Sequence, residues 1–84
     1  MYNVVIPDRA SKDLEKIDKK TQKIILLKIK EYSSNPFRYS TKLSDTRIGD
    51  YRFRIGKYRV IFDIDGENLV VLRIGLRKNI YKKI

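Results

Sequence analysis

The second half of this chain constrains its fold most strongly, because apolar residues there recur at every second position. In YRFRI, residues 51–55, Tyr51 and Phe53 fall on one face of an extended chain and Arg52 and Arg54 on the other. The same alternation continues through VIFDI and into NLVVLRIG. A Gly-Lys pair and an Asp-Gly pair separate the segments, as tight hairpin turns do. The pattern therefore predicts three consecutive strands joined as an antiparallel meander.

The last of these segments, NLVVLRIG, is apolar on both faces, which is typical of a strand with neighbours on both sides. Strict alternation divides its side chains between the two faces. One face receives Val70, Leu72 and Ile74, and the other receives Leu69, Val71 and Arg73.

The first half of the chain predicts one strand and two helices. YNVVI, residues 2–6, is typical of a strand that ends before a proline. Ala10, Leu14 and Ile17 then follow a helical period, as do Ile25 and Ile29 in the next segment. The second helix should end before Pro36, and its short connection to the first predicts a helical hairpin.

The expected fold is therefore α+β, within one domain spanning residues 1–84. An N-terminal strand precedes the hairpin, and the hairpin covers one face of a sheet that contains the meander. Residues 36–48 are predicted to be a loop, because no apolar period survives there. The basic segment 77–84 is predicted to form a helical turn or to lie extended.

Composition narrows the possible functions. The formal net charge is +10, from 20 basic and 10 acidic residues, which favours a polyanionic or acidic partner. The absence of cysteine excludes disulfides and thiolate zinc sites, and the absence of histidine removes the usual acid–base group near neutral pH. We expect no membrane partner, because the apolar segments are too short to span a bilayer and RKNIYKKI is too polar to insert.

Three arginines are expected on the sheet face that points away from the helices: Arg52, Arg54 and Arg59. Neighbouring strands lie only about 4.8 Å apart, so these guanidinium groups should repel one another. Asp63 could pair with one of them. A cluster of guanidinium forks suits phosphate oxygens, although a solvated strand face is the alternative. Arg77 and Tyr81, four residues apart, would join the cluster if the tail is helical.

The run GDYRFRIGKYRVIFDIDGENLVVLRIGLRKNIY, together with LEKID, NP and KLSD before it, resembles the RelE/ParE superfamily of toxins. It is most similar to the RelE branch. That resemblance implies a cytoplasmic toxin of a type II toxin–antitoxin module that enters the ribosomal A site and cuts mRNA. The implied partners are a RelB-like antitoxin, the ribosome with its message, and operator DNA through the antitoxin complex. No cofactor and no metal are implied.

The resemblance also assigns roles by position. Arg59 matches the arginine at the scissile phosphate, and Tyr81 matches a tyrosine that stacks on a base. Arg52 and Arg54 match a basic pair on the first meander strand, and Arg77 matches the basic residue after the last strand. The expected catalytic residues are Arg59, Arg77, Tyr81 and Arg54. The expected phosphate-binding residues are Arg52, Arg54, Lys57, Arg73 and Lys78. Some relatives carry lysines in place of Arg52 and Arg54, and many carry a histidine where this chain has Leu76. Those departures leave the general acid and base unassigned.

The corresponding mechanism is attack of the RNA 2′-hydroxyl on the adjacent phosphorus, giving a 2′,3′-cyclic phosphate. Proton transfer could involve Tyr81, Lys57, Asp63 or groups of the ribosome. Three alternatives remain open from the sequence. They are a ParE-like inhibitor of DNA gyrase, a degenerate member that binds RNA or ribosomes without cutting, and a basic RNA-binding module unrelated to toxins.

Overall fold

The computed structural model describes residues 1–81 and contains one five-stranded sheet with four helices. The strands are β1 (Asn3–Val5), β2 (Ser40–Lys42), β3 (Tyr51–Ile55), β4 (Tyr58–Asp65) and β5 (Asn68–Leu76). The helices are α1 (Asp8–Glu15), α2 (Lys19–Tyr32), α3 (Pro36–Tyr39) and α4 (Arg77–Ile80). No helix among the described residues is long and apolar enough to cross a membrane.

The sheet has the strand order β1-β5-β4-β3-β2. β3, β4 and β5 form the predicted antiparallel meander, whereas β1 pairs with β5 in the parallel direction. The α+β fold is therefore confirmed, and β5 is hydrogen-bonded on both sides as its apolar sequence indicated.

Both long helices lie on one face of the sheet. α1 packs mainly against β5, and α2 reaches β3. The core between the layers joins Ala10 and Leu14 of α1 and Ile25 of α2 to Phe53 and Phe62 of the sheet. Asp18 is the N-cap of α2, and its side chain accepts a hydrogen bond of 3.1 Å from the Thr21 N–H. The predicted apolar faces of β3 and β4 are thus the faces that pack on the helices.

The predicted loop at residues 36–48 contains two short elements. Pro36 is the first residue of α3, where a missing N–H is harmless. The chain then enters β2, whose Ser40 pairs with Phe53 and whose Lys42 pairs with Tyr51. Three residues are too few to show an apolar period, which is why the sequence did not predict β2. The strand forms because the edge of β3 provides its hydrogen-bond partners.

Alternation predicted the faces of β5 incorrectly beyond its midpoint. Ile61 pairs with Arg73, but the next residue, Phe62, pairs with Val71, so Leu72 has no partner of its own. This bulge shifts the alternation by one residue. Ile74 therefore joins the same core as Leu69 and Val71, instead of sharing a face with Leu72.

The segment of residues 43–50 folds back over the sheet face that lies away from the helices. It is closed by the Asp50 N–H, which donates a hydrogen bond of 2.7 Å to the carboxylate of Asp63. Gly49 passes so close to the sheet that a Cβ there would lie 2.5 Å from Ile61 Cγ2 and 3.0 Å from Leu72 Cδ1. Ile61 is completely buried beneath this segment.

We expect Gly49→Ala to destabilise the protein by roughly 2–4 kcal/mol, because it combines a strained backbone with overpacking. Gly49 has φ +153°, which side-chain-bearing residues rarely adopt. Gly66→Ala is the matched control, since Gly66 also has a positive φ but a methyl group added there would meet no atom within 4 Å. Urea unfolding should show a clearly smaller loss for the Gly66 variant, and equal losses would contradict the close approach.

Asp13 of α1 joins that helix to β5 beyond the point where β1 ends. Its carboxylate accepts hydrogen bonds from Arg73 Nε at 2.7 Å, Arg73 Nη2 at 3.1 Å and the Ile74 N–H at 3.0 Å. Burial alone would raise the pKa of Asp13, but these hydrogen bonds and the charges of Arg73 and Lys16 outweigh burial. The pKa of Asp13 is therefore held below 3.8.

This depressed pKa predicts a loss of stability in acid. Since Asp13 binds its proton less readily in the folded state than in the unfolded chain, its contribution is complete above pH 3.8. The contribution is lost as the pH falls from 3.8 through the folded-state pKa. Urea unfolding across that window should show a smaller pH dependence for Asp13→Asn than for the parent protein. Identical pH profiles would contradict the assignment.

Candidate functional site

Strand register brings the three predicted arginines to the same face of the sheet. Arg54 of β3 lies directly opposite Arg59 of β4, and Arg52 lies opposite Ile61. The intervening residue Phe53 is buried in the core on the helical side. Because side chains alternate along a strand, the arginines must point to the other side of the sheet.

Arg59 is the most enclosed cation of the group, with only 6% of its surface exposed. Its Nη1 donates hydrogen bonds to the carbonyl oxygens of Gly56 at 2.9 Å and Tyr58 at 2.8 Å. Its Nε is buried and has no hydrogen-bond partner among the described residues. These two carbonyls fix the orientation of the guanidinium, and its Nε–H is still available to donate a hydrogen bond.

The electrostatic environment of Arg59 is unfavourable to a cation. Burial, followed by the charges of Arg54, Arg77 and Arg52, lowers the pKa of Arg59, and Tyr81 acts in the opposite direction. An arginine remains protonated throughout the physiological range even so. The lowered pKa therefore reflects first the burial of Arg59 and then the positive charges of the neighbouring arginines.

α4 brings the C-terminal residues onto this cluster. The Arg77 N–H donates a 3.0 Å hydrogen bond to the Lys57 carbonyl, which joins the start of α4 to the β3–β4 turn. Opposite Arg59, Gly75 has no side chain, and Ile80 of α4 lies over that position. The helical turn predicted for residue 77 onward is observed, and the predicted tail at residues 82–84 lies outside the described residues.

Tyr81 lies beside Arg52 at the end of α4. Arg52 Nη1 donates a 3.0 Å hydrogen bond to the Tyr81 hydroxyl. Arg52 Nε is buried and lacks a partner among residues 1–81. A hollow of about 260 Å³ lies between these two side chains and the segment of residues 43–50, which lines it with Leu43, Ser44, Asp45 and Ile48.

A larger hollow of about 550 Å³ lies beside Arg59 and Arg77. We call it the arginine hollow; its lining residues are Gly56, Lys57, Arg59, Leu76, Arg77 and Lys78. Lys57, Arg77 and Lys78 are exposed at its rim. Leu76, which occupies the position of the histidine that the resemblance leads one to expect, contributes to the wall.

None of the cluster arginines forms an ion pair within the part of the chain that the structure describes; Asp45 lines the smaller hollow beside Arg52 but is paired with Arg47. No carboxylate of residues 1–81 lies within 4.0 Å of the guanidinium groups of Arg52, Arg54, Arg59 or Arg77, since the ion pairs involve other residues. Asp63, expected to pair with an arginine, instead accepts the Asp50 N–H. The four arginines therefore give this face of the described chain a concentrated positive charge.

Arg73 does not belong to this group. Its guanidinium is bound by Asp13, and its side chain is only 18% exposed. The prediction that Arg73 contacts phosphate is therefore replaced by a structural role at the α1–β5 junction.

Sequence reasoning missed the groups that surround the arginines. These are the carbonyls of Gly56 and Tyr58, the segment of residues 43–50 and the apolar contact of Ile80. Gly49 and Gly75 could have indicated two of these contacts in the sequence, because glycine often marks a place where two chain segments approach closely.

The family comparison matches almost the whole described chain, including every element of the site. Residues 4–81 match the model described as the ParE toxin of the type II toxin–antitoxin system parDE. The chain belongs to this toxin family. It is a toxin of a type II toxin–antitoxin system within the RelE/ParE superfamily, and its fold is RelE-like.

Solved toxin–antitoxin complexes contain similar chains. One is in the RelBE2 complex of Mycobacterium tuberculosis, with 26% identity, a TM-score of 0.80, and coverage of 90% of this toxin and 98% of that chain. Another is in the archaeal RelE–RelB complex of Pyrococcus horikoshii, with 26% identity, a TM-score of 0.73, and coverage of 93% and 97%. A third is in the RelB–RelE complex of Methanococcus jannaschii, with 26% identity, a TM-score of 0.74, and coverage of 95% and 98%. A search of curated proteins finds no match to this toxin.

Proposed function

We propose that this toxin is a metal-independent endoribonuclease that cuts mRNA in the ribosomal A site and thereby inhibits translation. The observation that carries the proposal is the convergence of three other arginines, none of them ion-paired among the described residues, around the largely buried guanidinium of Arg59. A guanidinium offers paired N–H donors that match phosphate oxygens. Such a cluster is suited to one sugar-phosphate link of an RNA chain.

The proposed reaction uses a nucleophile that RNA itself carries. The 2′-oxygen forms a bond to the adjacent phosphorus, and the bond from phosphorus to the 5′-oxygen of the next nucleotide breaks. The 2′-hydroxyl loses a proton and the departing 5′-oxygen gains one. The products are a 2′,3′-cyclic phosphate and a 5′-hydroxyl end, and alignment of the two oxygens supplies part of the rate enhancement.

The arginines divide this work according to their positions. Arg59 and Arg77 stabilise the negative charge that develops on the phosphoryl oxygens, since fixed donors aimed at such charge are effective catalysts. Arg54 faces the same phosphate from the adjacent strand. Arg52, with the rim residues Lys57 and Lys78, holds the flanking backbone.

Tyr81 is proposed to stack on a base next to the cleaved link. We expect Tyr81→Ala to lower cleavage by about 10- to 100-fold, in line with a stacking energy of about 1–3 kcal/mol. Tyr81→Phe keeps the ring and loses only the hydroxyl that binds Arg52, so its loss should stay below about tenfold. Cleavage rates on ribosome-bound message measure both. A phenylalanine variant as defective as the alanine variant would instead assign chemistry to the hydroxyl.

Proton transfer is proposed to depend on the ribosome. The chain has no histidine, and Asp63, one of the candidates from the sequence, is engaged with Asp50. Tyr81 and Lys57 remain near the cluster, but a phenol and an ammonium group both carry their proton near neutral pH, so neither acts as an efficient base. Cleavage of free RNA should therefore be slow.

The test is primer extension on mRNA bound to ribosomes, with the same mRNA free in solution as the comparison. Discrete cuts within the A-site codon, and few cuts in free RNA, are expected. Rapid cutting of free RNA would refute dependence on the ribosome. Binding to ribosomes with intact message would identify a catalytically degenerate member, in which Leu76 replaces a required histidine.

A ParE-like action on DNA gyrase is the second candidate, and the description of the matching family model as a ParE toxin favours it. Induction of the chain in cells separates the two. Immediate arrest of protein synthesis supports message cleavage, whereas DNA damage with continued synthesis supports gyrase inhibition.

A RelB-like antitoxin is the proposed partner, because the similar chains come from RelB–RelE complexes. The complex would act in the cytoplasm and would bind operator DNA through the antitoxin. An adjacent reading frame for a small protein would support this pairing.

A further inference from the structure

The smaller hollow beside Arg52 differs chemically from the arginine hollow. We call it the tyrosine hollow; its lining residues are Leu43, Ser44, Asp45, Ile48, Arg52 and Tyr81. A carboxylate in this lining repels phosphate groups, which an RNA-binding surface otherwise attracts. A nucleobase, in contrast, carries N–H groups from which an aspartate accepts hydrogen bonds. The acid therefore points to a base, not to a phosphate, as the ligand of this hollow.

Arg47 holds the carboxylate of Asp45 from outside the tyrosine hollow. Its Nε donates to Oδ1 at 3.0 Å and to Oδ2 at 3.1 Å, its Nη2 donates to Oδ2 at 2.6 Å, and its backbone N–H donates to Oδ1 at 3.1 Å. Arg47 itself lines a separate hollow of about 500 Å³, together with Arg9. An ionised carboxylate has about four acceptor sites, so these three N–H groups leave about one for a ligand.

The same contacts fix the protonation state of Asp45. The hydrogen bonds from Arg47 lower the pKa of Asp45 from 3.8 to about 2. The side chain of Asp45 is nevertheless 41% exposed. Asp45 is therefore a charged acceptor at neutral pH, and a ligand in the hollow can reach it.

The size and position of the tyrosine hollow suit one nucleobase. Its volume of about 260 Å³ is below the roughly 300–1,000 Å³ of pockets that hold drug-sized ligands. Arg52 is two residues from Arg54 on β3, so the hollow lies about 7 Å along the strand from a cation proposed to face the cleaved phosphate. A base and a phosphate of one nucleotide can span that distance. The ring of Tyr81, proposed to stack on a base, is part of the same wall.

We propose that Asp45 selects the base in the tyrosine hollow and favours a base with an amino group on its pairing edge. Cytosine and uracil are the best comparison, because they have the same size and differ at C4. Cytosine carries an amino group there that donates to the carboxylate, whereas uracil carries a carbonyl oxygen that the carboxylate repels. Guanine and hypoxanthine form a second pair, since only guanine has an amino group at C2. This inference rests on the proposed function for cleavage, but not for the binding of the base.

The first test is an NMR titration of the isolated toxin with cytidine monophosphate and uridine monophosphate. The cytidine nucleotide should bind at least about fivefold more tightly, with amide shifts in residues 43–48 and at Arg52. Asp45→Asn introduces an amide that can donate to the uracil carbonyl, so this ratio should fall below about twofold. Asp65→Asn is the matched control: it removes the same charge from an exposed residue at the end of β4 and should keep the parent ratio.

The second test uses ribosomes carrying messages with a randomised A-site codon, and sequencing of the cut ends. At one codon position the parent should cut cytosine about tenfold more often than uracil, and Asp65→Asn should do the same. Asp45→Asn should reduce this preference to about twofold or less.

Equal binding of the two nucleotides to the parent, no detectable binding of either, or an unchanged ratio in Asp45→Asn would overturn the proposal. The two tests separate it from the proposed function. Selective binding that depends on Asp45, without any cutting of mRNA, would support the base site and refute the nuclease. Cutting whose base preference is the same in the parent and in Asp45→Asn would support the nuclease and refute the base site.

Discussion

Arg59→Ala is expected to lower the rate of message cleavage by about 100- to 1,000-fold, the loss typical of removing one donor aimed at developing charge. Arg59 is the buried centre of the cluster, and two carbonyls hold its Nη1 while its Nε has no partner in the described chain. The measurement is the single-turnover rate of cutting on ribosome-bound mRNA. Ribosome binding should fall by less than about tenfold, because three other arginines remain to contact phosphate.

Two controls separate this role from charge and from folding. Arg59→Lys keeps the charge without the planar fork, so it should recover only a small part of the rate. Arg9→Ala removes the same charge from an exposed position in α1 and should leave cleavage nearly unchanged. Because Arg59→Ala also removes the hydrogen bonds to the Gly56 and Tyr58 carbonyls, urea unfolding must show that the variant is still folded under the assay conditions. Equal losses of cleavage in the Arg9 and Arg59 variants would show that only net charge matters.

Asp13→Ala is expected to produce the largest loss of stability, roughly 3–5 kcal/mol, because it leaves a largely buried guanidinium without its counter-ion. It also removes the acceptor of the Ile74 N–H at the bulge of β5. Urea unfolding measures the change in the free energy of unfolding. A loss below about 1 kcal/mol would show that the pair behaves like an exposed salt bridge.

A second substitution, at the ion-pair partner Arg73, should restore part of the stability lost in Asp13→Ala. Replacing Arg73 with methionine keeps much of the side-chain length and removes the buried charge. The double variant Asp13→Ala, Arg73→Met should therefore be more stable than Asp13→Ala alone. No recovery would indicate that the hydrogen bond to Ile74, rather than the ion pair, carries the stability.

Much of the candidate site could be predicted from alternation along single strands. A residue two positions along a strand returns to the same face, so Arg52 and Arg54 had to lie together once Tyr51 and Phe53 turned inward. The tight turn at Gly56-Lys57 then brought Arg59 opposite Arg54. The same rule failed in β5, because a bulge is a property of two paired strands and leaves no mark in the alternation of one.

The assignment of individual cations was the part that the sequence left open. Arg73 lies on the strand next to β4, and nothing in its local sequence distinguishes it from the arginines of the cluster. Its partner Asp13 is 60 residues away along the chain. Likewise, Asp63 lies near Arg59 in sequence yet binds the backbone of Asp50. Such pairings depend on how the layers stack.

The sequence by itself determined the α+β class, the meander and an arginine-rich face, because these follow from backbone periods that repeat within a few residues. Only the tertiary structure decided which arginines have no carboxylate partner within residues 1–81, and how α4 brings Arg77 and Tyr81 onto the cluster. The physical reason is that hydrogen bonds and ion pairs act over a few ångströms in space. Distance along the chain therefore does not predict them.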